Sequence, residues 1–192
     1  MTRVVIAEDE AIIRLDLKET LQDEGYEVVA ETGRGDEAVE LVRTLQPDLA
    51  ILDIKMPGLG GLEAARVIND ERLAAVLILT AFSQRDLIVA ARDAGALAYL
   101  VKPFQRSDLV PAIEVALGRF AEMKALHEQA ASLEDRLETR KVLDRAKGIL
   151  MDTASRGEQA AFRFIQTTAM KERTTMKAVA DRVIAGELRP ST

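Results

Sequence analysis

Five residues of this 192-residue chain have the types and positions that chemistry on a phosphoryl group requires: Glu8, Asp9, Asp53, Thr80 and Lys102. Each follows or ends a short apolar run: Val4-Val5-Ile6-Ala7, Leu49-Ala50-Ile51-Leu52, Val76-Leu77-Ile78-Leu79, or Ala96-Leu97-Ala98-Tyr99-Leu100-Val101. Carboxylates brought close together repel, and each has a raised pKa without a counter-charge. A hard divalent cation relieves that repulsion, and oxygen donors without His or Cys favour Mg²⁺ over zinc. Lys102 adds a point charge suited to phosphate oxygens. Asp53 then has the makings of a nucleophile that forms an acyl phosphate. Lys102 and the Thr80 hydroxyl would hold the oxygens of the transferred group. One Asp or Lys at the end of an apolar run is ordinarily a solvated side chain. Five such residues at the ends of four runs make that explanation a poor one.

The elements must bring these ends together. The apolar runs have strand length, and their near-continuous apolar character calls for burial on both faces. Tyr26-Glu27-Val28-Val29-Ala30 is a weaker run of the same kind. Helical spacing separates them: Ile12, Leu15, Leu17 and Leu21, then Ala38, Val39, Leu41, Val42 and Leu45. Leu62, Ala65, Val67 and Ile68 continue the pattern, followed by Leu87, Ile88, Ala91 and Ala94. Gly25 and Gly95 stand where helices should stop. Strand alternating with helix predicts an α/β fold, a doubly wound, five-stranded parallel sheet. Ligands of such sheets bind outside the carboxyl ends of the strands, where the five residues fall.

Composition narrows the function further. Hydrophobic residues make up 48% of the chain, enough for a core, and charged residues 30%. There is no cysteine, which excludes disulfides, thiolate catalysis and the common zinc sites. His127 is the only histidine, so a Ser-His-Asp triad has nothing around it. No apolar run approaches the roughly 20 residues that span a bilayer. The opening MTRVVIAEDE turns acidic too soon for a secretory signal. A cytoplasmic protein without membrane association is expected. Residues 1–118 carry 12 Lys and Arg against 21 Asp and Glu, whereas residues 119–192 carry 14 against 11. An acidic front and a mildly basic back predict two modules with different partners.

Glu8-Asp9, Asp53, Met56-Pro57-Gly58 with Gly61, Thr80-Ala81 and Lys102-Pro103-Phe104 together resemble the signature of bacterial two-component receiver domains. The resemblance covers residues 1–118 and implies a flavodoxin-like receiver. It implies Mg²⁺ held by Glu8, Asp9, Asp53 and the backbone carbonyl of Lys55. It also implies phosphorylation of Asp53 by a sensor histidine kinase, and a cis peptide bond at Lys102-Pro103. In receivers an aromatic residue placed like Tyr99 turns inward when the threonine hydroxyl, here Thr80, engages phosphate. Phosphotransfer and autodephosphorylation are the only chemistry implied; nothing points to a metabolic enzyme.

Beyond the receiver, Ser107 and Asp108 are candidate helix caps, and Pro111 fits only a first helical turn. Residues 119–132 are expected as a connecting helix. Met123, Leu126, Ala130, Leu133 and Leu137 alternate steps of three and four. That short heptad pattern suits a homodimeric coiled coil or packing on the chain's own receiver. His127 fits a solvent-facing helix position. Residues 133–192 are expected to form a small all-α module of three helices. The first runs from near Leu133 to Met151. Gly157 breaks the chain, Thr174 or Thr175 caps the third helix, and Gly186 ends it. Its small core would use Phe162, Phe164 and many alanines. Nucleic-acid binding, protein docking and a plain solvated surface all fit this pattern. No helix-turn-helix signal is evident, and few aromatics are present to stack on bases.

Ala146-Lys147-Gly148-Ile149-Leu150-Met151, Ala161-Phe162-Arg163, Ala169-Met170 and Val179-Ala180 resemble the ANTAR domain. That resemblance implies a response regulator that binds RNA hairpins and acts as a transcription antiterminator in the context of RNA polymerase. Arg140, Arg145, Lys147, Arg163, Arg173 and Lys177 are candidates for phosphate contact, with Lys147 inside the motif. The stretch Lys171-Glu172-Arg173-Thr174-Thr175 is less basic than is usual for the family. A phosphorylation-controlled protein-docking regulator and a DNA-binding transcription factor are the alternative readings.

Overall fold

The computed structural model describes residues 1–81, 84–154 and 157–188. They divide into two compact units, Met1–Lys124 and one that begins at Ala125. The first unit alternates strand and helix: β1 (Arg3–Ala7), α1 (Ala11–Asp23), β2 (Glu27–Thr32), α2 (Gly35–Leu45) and β3 (Leu49–Asp53). Then come α3 (Gly61–Asp70), β4 (Ala75–Thr80), α4 (Arg85–Asp93), β5 (Ala98–Val101) and the first turns of α5 (Arg106–Ala154). The strands form a parallel sheet in the order β2-β1-β3-β4-β5. The expected doubly wound α/β sheet is therefore present. β2 begins and ends slightly later than its apolar run suggests, because Thr32 pairs with Ala7 at the edge of the sheet.

Strand alternation divides the core. Val5, Ala7, Ala50, Leu52, Val76 and Ile78 face α2, α3 and α4. Val4, Ile6, Leu49, Ile51, Leu77 and Leu79 face α1 and α5, where Leu17, Leu21, Leu109 and Ile113 meet them. Both faces of every central strand are covered, which explains the unbroken apolar runs. Gly25 and Gly95 adopt φ values of +85° and +86° where α1 and α4 stop.

α5 corrects the expected caps. It starts at Arg106, and Gln105 occupies the cap position. The Asp108 carboxylate reaches back to accept from the Gln105 N–H at 3.0 Å, one half of a capping box. Pro111 consequently lies in the second turn, not the first. Its missing donor would have served the carbonyl of exposed Ser107, which water can satisfy. The connecting helix expected over residues 119–132 is part of α5, which passes through them without a break and runs on to Ala154.

The second unit contains the last part of α5 with α6 (Glu158–Glu172) and α7 (Met176–Ile184). Its core is Ala146, Leu150, Ala161, Ile165, Ala169, Val179, Ala180 and Val183. The Thr175 hydroxyl caps α7 by accepting from the Ala178 N–H at 3.1 Å, as the sequence suggests. The expected aromatic pair is corrected: Phe164 packs on this core, but Phe162 is exposed. Two residues along a helix are about 200° apart, so they cannot share a face. Leu126, Leu133 and Leu137 are also exposed. The last residues of the expected module, 189–192, lie outside the described residues. Among the described residues no helix is long and apolar enough to cross a membrane.

Two glycines give opposite expectations. A methyl group on Gly61 would lie 1.7 Å from the Asp53 carbonyl oxygen, whereas one on Gly118 meets nothing within 4 Å. Gly61→Ala should lower unfolding free energy by at least ~1–3 kcal/mol. Gly118→Ala, inside α5, should raise it by about 0.5–1 kcal/mol. Urea denaturation of both variants measures the contrast. Tyr26 offers a second test, because its hydroxyl donates to Glu114 Oε1 at 3.1 Å. Burial, then Glu114, pushes its pKa up to about 12. A pKa raised in the folded state gives stability that is complete below the unfolded value near 10. That stability is lost as pH climbs through the folded value. Tyr26→Phe should cost about 1 kcal/mol at pH 8. Its deficit should shrink between roughly pH 10 and pH 12, read by denaturation at each pH.

Candidate functional site

Strand register alone brings the five residues together. Ala7 pairs with Leu52, so Glu8 and Asp53 leave adjacent strands side by side. Asp53 pairs with Leu79, and Thr80 follows it. Thr80 in turn pairs with Val101, which places Lys102 one step beyond. The strand order reverses between β1 and β3, and the cluster sits at that switch point. The Lys102–Pro103 peptide is cis.

Glu8, Asp9 and Asp53 each present a carboxylate oxygen within 4.8 Å of the others. Glu8 and Asp53 are buried and Asp9 is exposed. The Lys102 ammonium bridges the two buried carboxylates, 2.7 Å from Glu8 Oε2 and 3.4 Å from Asp53 Oδ2. Asp53 Oδ1 accepts from the Ile54 N–H at 2.8 Å, and Glu8 Oε1 accepts from the Glu10 N–H at 3.3 Å. Burial raises the Glu8 pKa; its hydrogen bond to Lys102 opposes the rise and the charge of Asp53 adds to it. Burial likewise raises Asp53 against the pull of Lys102. For Lys102, burial disfavours the charge, but Glu8 and Asp53 outweigh it and its pKa rises. One ammonium among three carboxylates leaves negative charge in excess. The donor set is all oxygen, with two members buried and one open to solvent. These residues fit a hard divalent cation such as Mg²⁺. Lys55 lies two residues past Asp53, in the turn leading to α3, with its side chain exposed.

Thr80 is fully buried at the end of β4. Tyr99, on β5, is half-buried against the core that α2, α3 and α4 cover. Burial raises its pKa, and the charge of Asp53 raises it further. Sequence reasoning misses the pairing of Lys102 with Glu8 and the hydrogen bond from Arg14 to the Glu8 carbonyl. The only sequence signal for Arg14 is its place on the first turns of α1, six residues after Glu8.

The candidate phosphate-contact residues of the second unit differ in what already holds them. Lys147 lies 2.8 Å from both Asp144 Oδ1 and Glu158 Oε1, and little of its side chain is exposed. Lys177 pairs with Asp135 at 3.5 Å. Arg140 stands 4.0 Å from Asp144 and is largely exposed. Arg145, Arg163 and Arg173 are exposed. Arg173 takes a left-handed conformation at the end of α6.

Comparison with known proteins agrees with this division. A model of the response regulator receiver domain matches residues 4–114, and one of the ANTAR domain matches residues 131–184. The transcriptional regulatory protein PdtaR of Mycobacterium tuberculosis is 57% identical over 182 residues, covering 95% of this chain and 89% of that protein. The chemotaxis protein CheY of Thermotoga maritima is 38% identical over 112 residues, 58% of this chain and 93% of that protein. Among solved structures, the signal receiver domain of the NarL regulator of M. tuberculosis superposes with a TM-score of 0.59 at 30% identity. That match covers 61% of this chain and 96% of that one. A LuxR-family two-component response regulator from Aurantimonas gives 0.58 at 35% identity, covering 62% and 86%. With a receiver model over more than half its length and an ANTAR model after it, this chain belongs to the response regulator family.

Proposed function

We propose that this response regulator is phosphorylated on Asp53 by a sensor histidine kinase and acts through RNA as a transcription antiterminator. The observation that carries the first half is the buried carboxylate cluster bridged by Lys102. Glu8, Asp9, Asp53 and the Lys55 carbonyl would hold Mg²⁺. When bound, the metal supplies positive charge that offsets the charge developing on the transferring group. An Asp53 carboxylate oxygen forms a bond to phosphorus as the phosphorus–nitrogen bond of the donor phosphohistidine breaks. The leaving imidazole keeps that electron pair and takes up a proton. Lys102 exchanges a carboxylate for a phosphoryl oxygen, and the Thr80 hydroxyl donates to another. Thr80 ends β4 one residue beyond the partner of Asp53, within the buried strand ends where the phosphoryl group would sit. Tyr99 on β5 then turns inward behind it.

The second half rests on the ANTAR match and on the likeness to a transcriptional regulatory protein along nearly the whole chain. A cytoplasmic location, RNA hairpins near transcribing polymerase, and pairing of two chains through the exposed leucines of α5 belong to this reading. One observation favours a protein-docking regulator instead: Lys147, the basic residue inside the ANTAR motif, is already held by two carboxylates.

Wild-type protein should acquire acid-labile phosphate from a phosphorylated kinase or a small acyl phosphate in Mg²⁺, and chelation should abolish this. Asp53→Asn should take up none; labelling at the wild-type level would refute the assignment. For RNA, fluorescence anisotropy with a terminator-type hairpin should show tighter binding after phosphorylation, and no such gain with duplex DNA of matching sequence. Equal or absent RNA binding in both states would move the function to protein docking.

A further inference from the structure

Phe162 is the one aromatic of the second unit's described residues that its core leaves out. Its neighbour in sequence, Phe164, packs against that core, whereas Phe162 is 40% exposed. It stands where two surface grooves meet, one running along α5 beside Arg136 and Arg140, the other along α6 beside Arg163. Helical spacing puts Gln159, Phe162, Arg163 and Gln166 on one face of α6, and all four are exposed.

Charge along these grooves is unevenly paired. Their carboxylates are engaged by lysines: Asp135 by Lys177, and Asp144 and Glu158 by Lys147. Arg136 and Arg163 are exposed and make no ion pair among the described residues, and Arg140 is only at the edge of one. The two lysines offset part of the charge of the three acids, and the arginines bring the balance along the grooves to positive. Rings and arginines are enriched at protein interfaces as well, so it is the ANTAR match over residues 131–184 that favours RNA here. The exposed ring then has what an unpaired base requires: a flat apolar face, amides for its edge, and cations for the flanking phosphates.

We infer that Phe162 is a stacking platform for an unpaired base of single-stranded or loop RNA. Gln159 and Gln166 contact the base edge, and Arg140 and Arg163 contact the adjoining phosphates. The inference rests on the RNA-binding reading and deepens it. It assigns recognition of the loop, not the stem, to the α6 face. It also gives Lys147 a positioning role, holding Asp144 and Glu158 beside the ring and offsetting part of their charge.

The test uses the full chain and a hairpin RNA with 2-aminopurine at successive loop positions, beside a blunt duplex of the same stem. Wild-type protein should quench the fluorophore at one loop position. Phe162→Leu keeps the bulk but removes the flat ring. It should lose that quenching and weaken hairpin binding by on the order of tenfold or more, while leaving stem binding unchanged. Phe162→Tyr should retain both signals, and matching thermal melts show that the variants are folded. Hairpin binding and quenching unchanged in Phe162→Leu, or equal losses on hairpin and duplex, would overturn the stacking role alone. Failure of wild-type protein to bind the hairpin in either phosphorylation state would overturn the RNA reading and this inference with it.

Discussion

Three carboxylates at one edge of a sheet, two of them buried, would push one another apart without a counter-charge, and Lys102 supplies it. Its ammonium is itself buried, so the pair Lys102–Glu8 and the longer approach to Asp53 hold each other in place. Neither partner gains much in net stability, because both have given up water. What the arrangement secures is position. The acidic edge stays open at Asp9 and holds more carboxylates than one lysine can balance. Strand order, register and the long apolar runs all bear on this edge, since the central strands and β5 deliver its members.

The backbone around Asp53 is constrained as tightly as its side chain. β3 is buried along its whole length, and α3 starts so close behind it that Gly61 touches the Asp53 carbonyl. The Gly61 N–H donates to the Ile54 carbonyl at 2.9 Å, which ties the start of α3 to the end of the strand. The Asp53 carboxylate is thus held from two sides, by a turn with no room for a side chain and by a hydrogen bond from the next backbone N–H.

Much of this is legible in the sequence, for physical reasons that particular residues show. Runs such as Leu49–Asp53 announce a strand buried on both faces, and a chemical residue at each run's end locates the site. Which partner each charge takes is not legible. Lys102 is drawn to Glu8 through register between strands 94 residues apart, and no local pattern encodes that. The cap of α5 is ambiguous by a few positions because Asp108 serves equally well as a cap and as the residue that reaches back to one. In the second unit, composition suggests an aromatic core pair, but helix geometry admits only one ring. The i, i+2 spacing of Phe162 and Phe164 already contains that answer.

The second unit also shows why counting basic residues is a weak guide to a nucleic-acid surface. Lys147 and Lys177 are paired with carboxylates of the same unit, so they contribute little field outside it. Compact, strongly hydrated ammonium groups suit that internal task. The guanidinium groups of Arg136 and Arg163 are left outward beside an exposed ring, where a planar cation can both pair with phosphate and stack. Small cores built from alanine, as here, bring helices close and leave large side chains few places inside. A ring that the core cannot accept then stays on the surface, as Phe162 does.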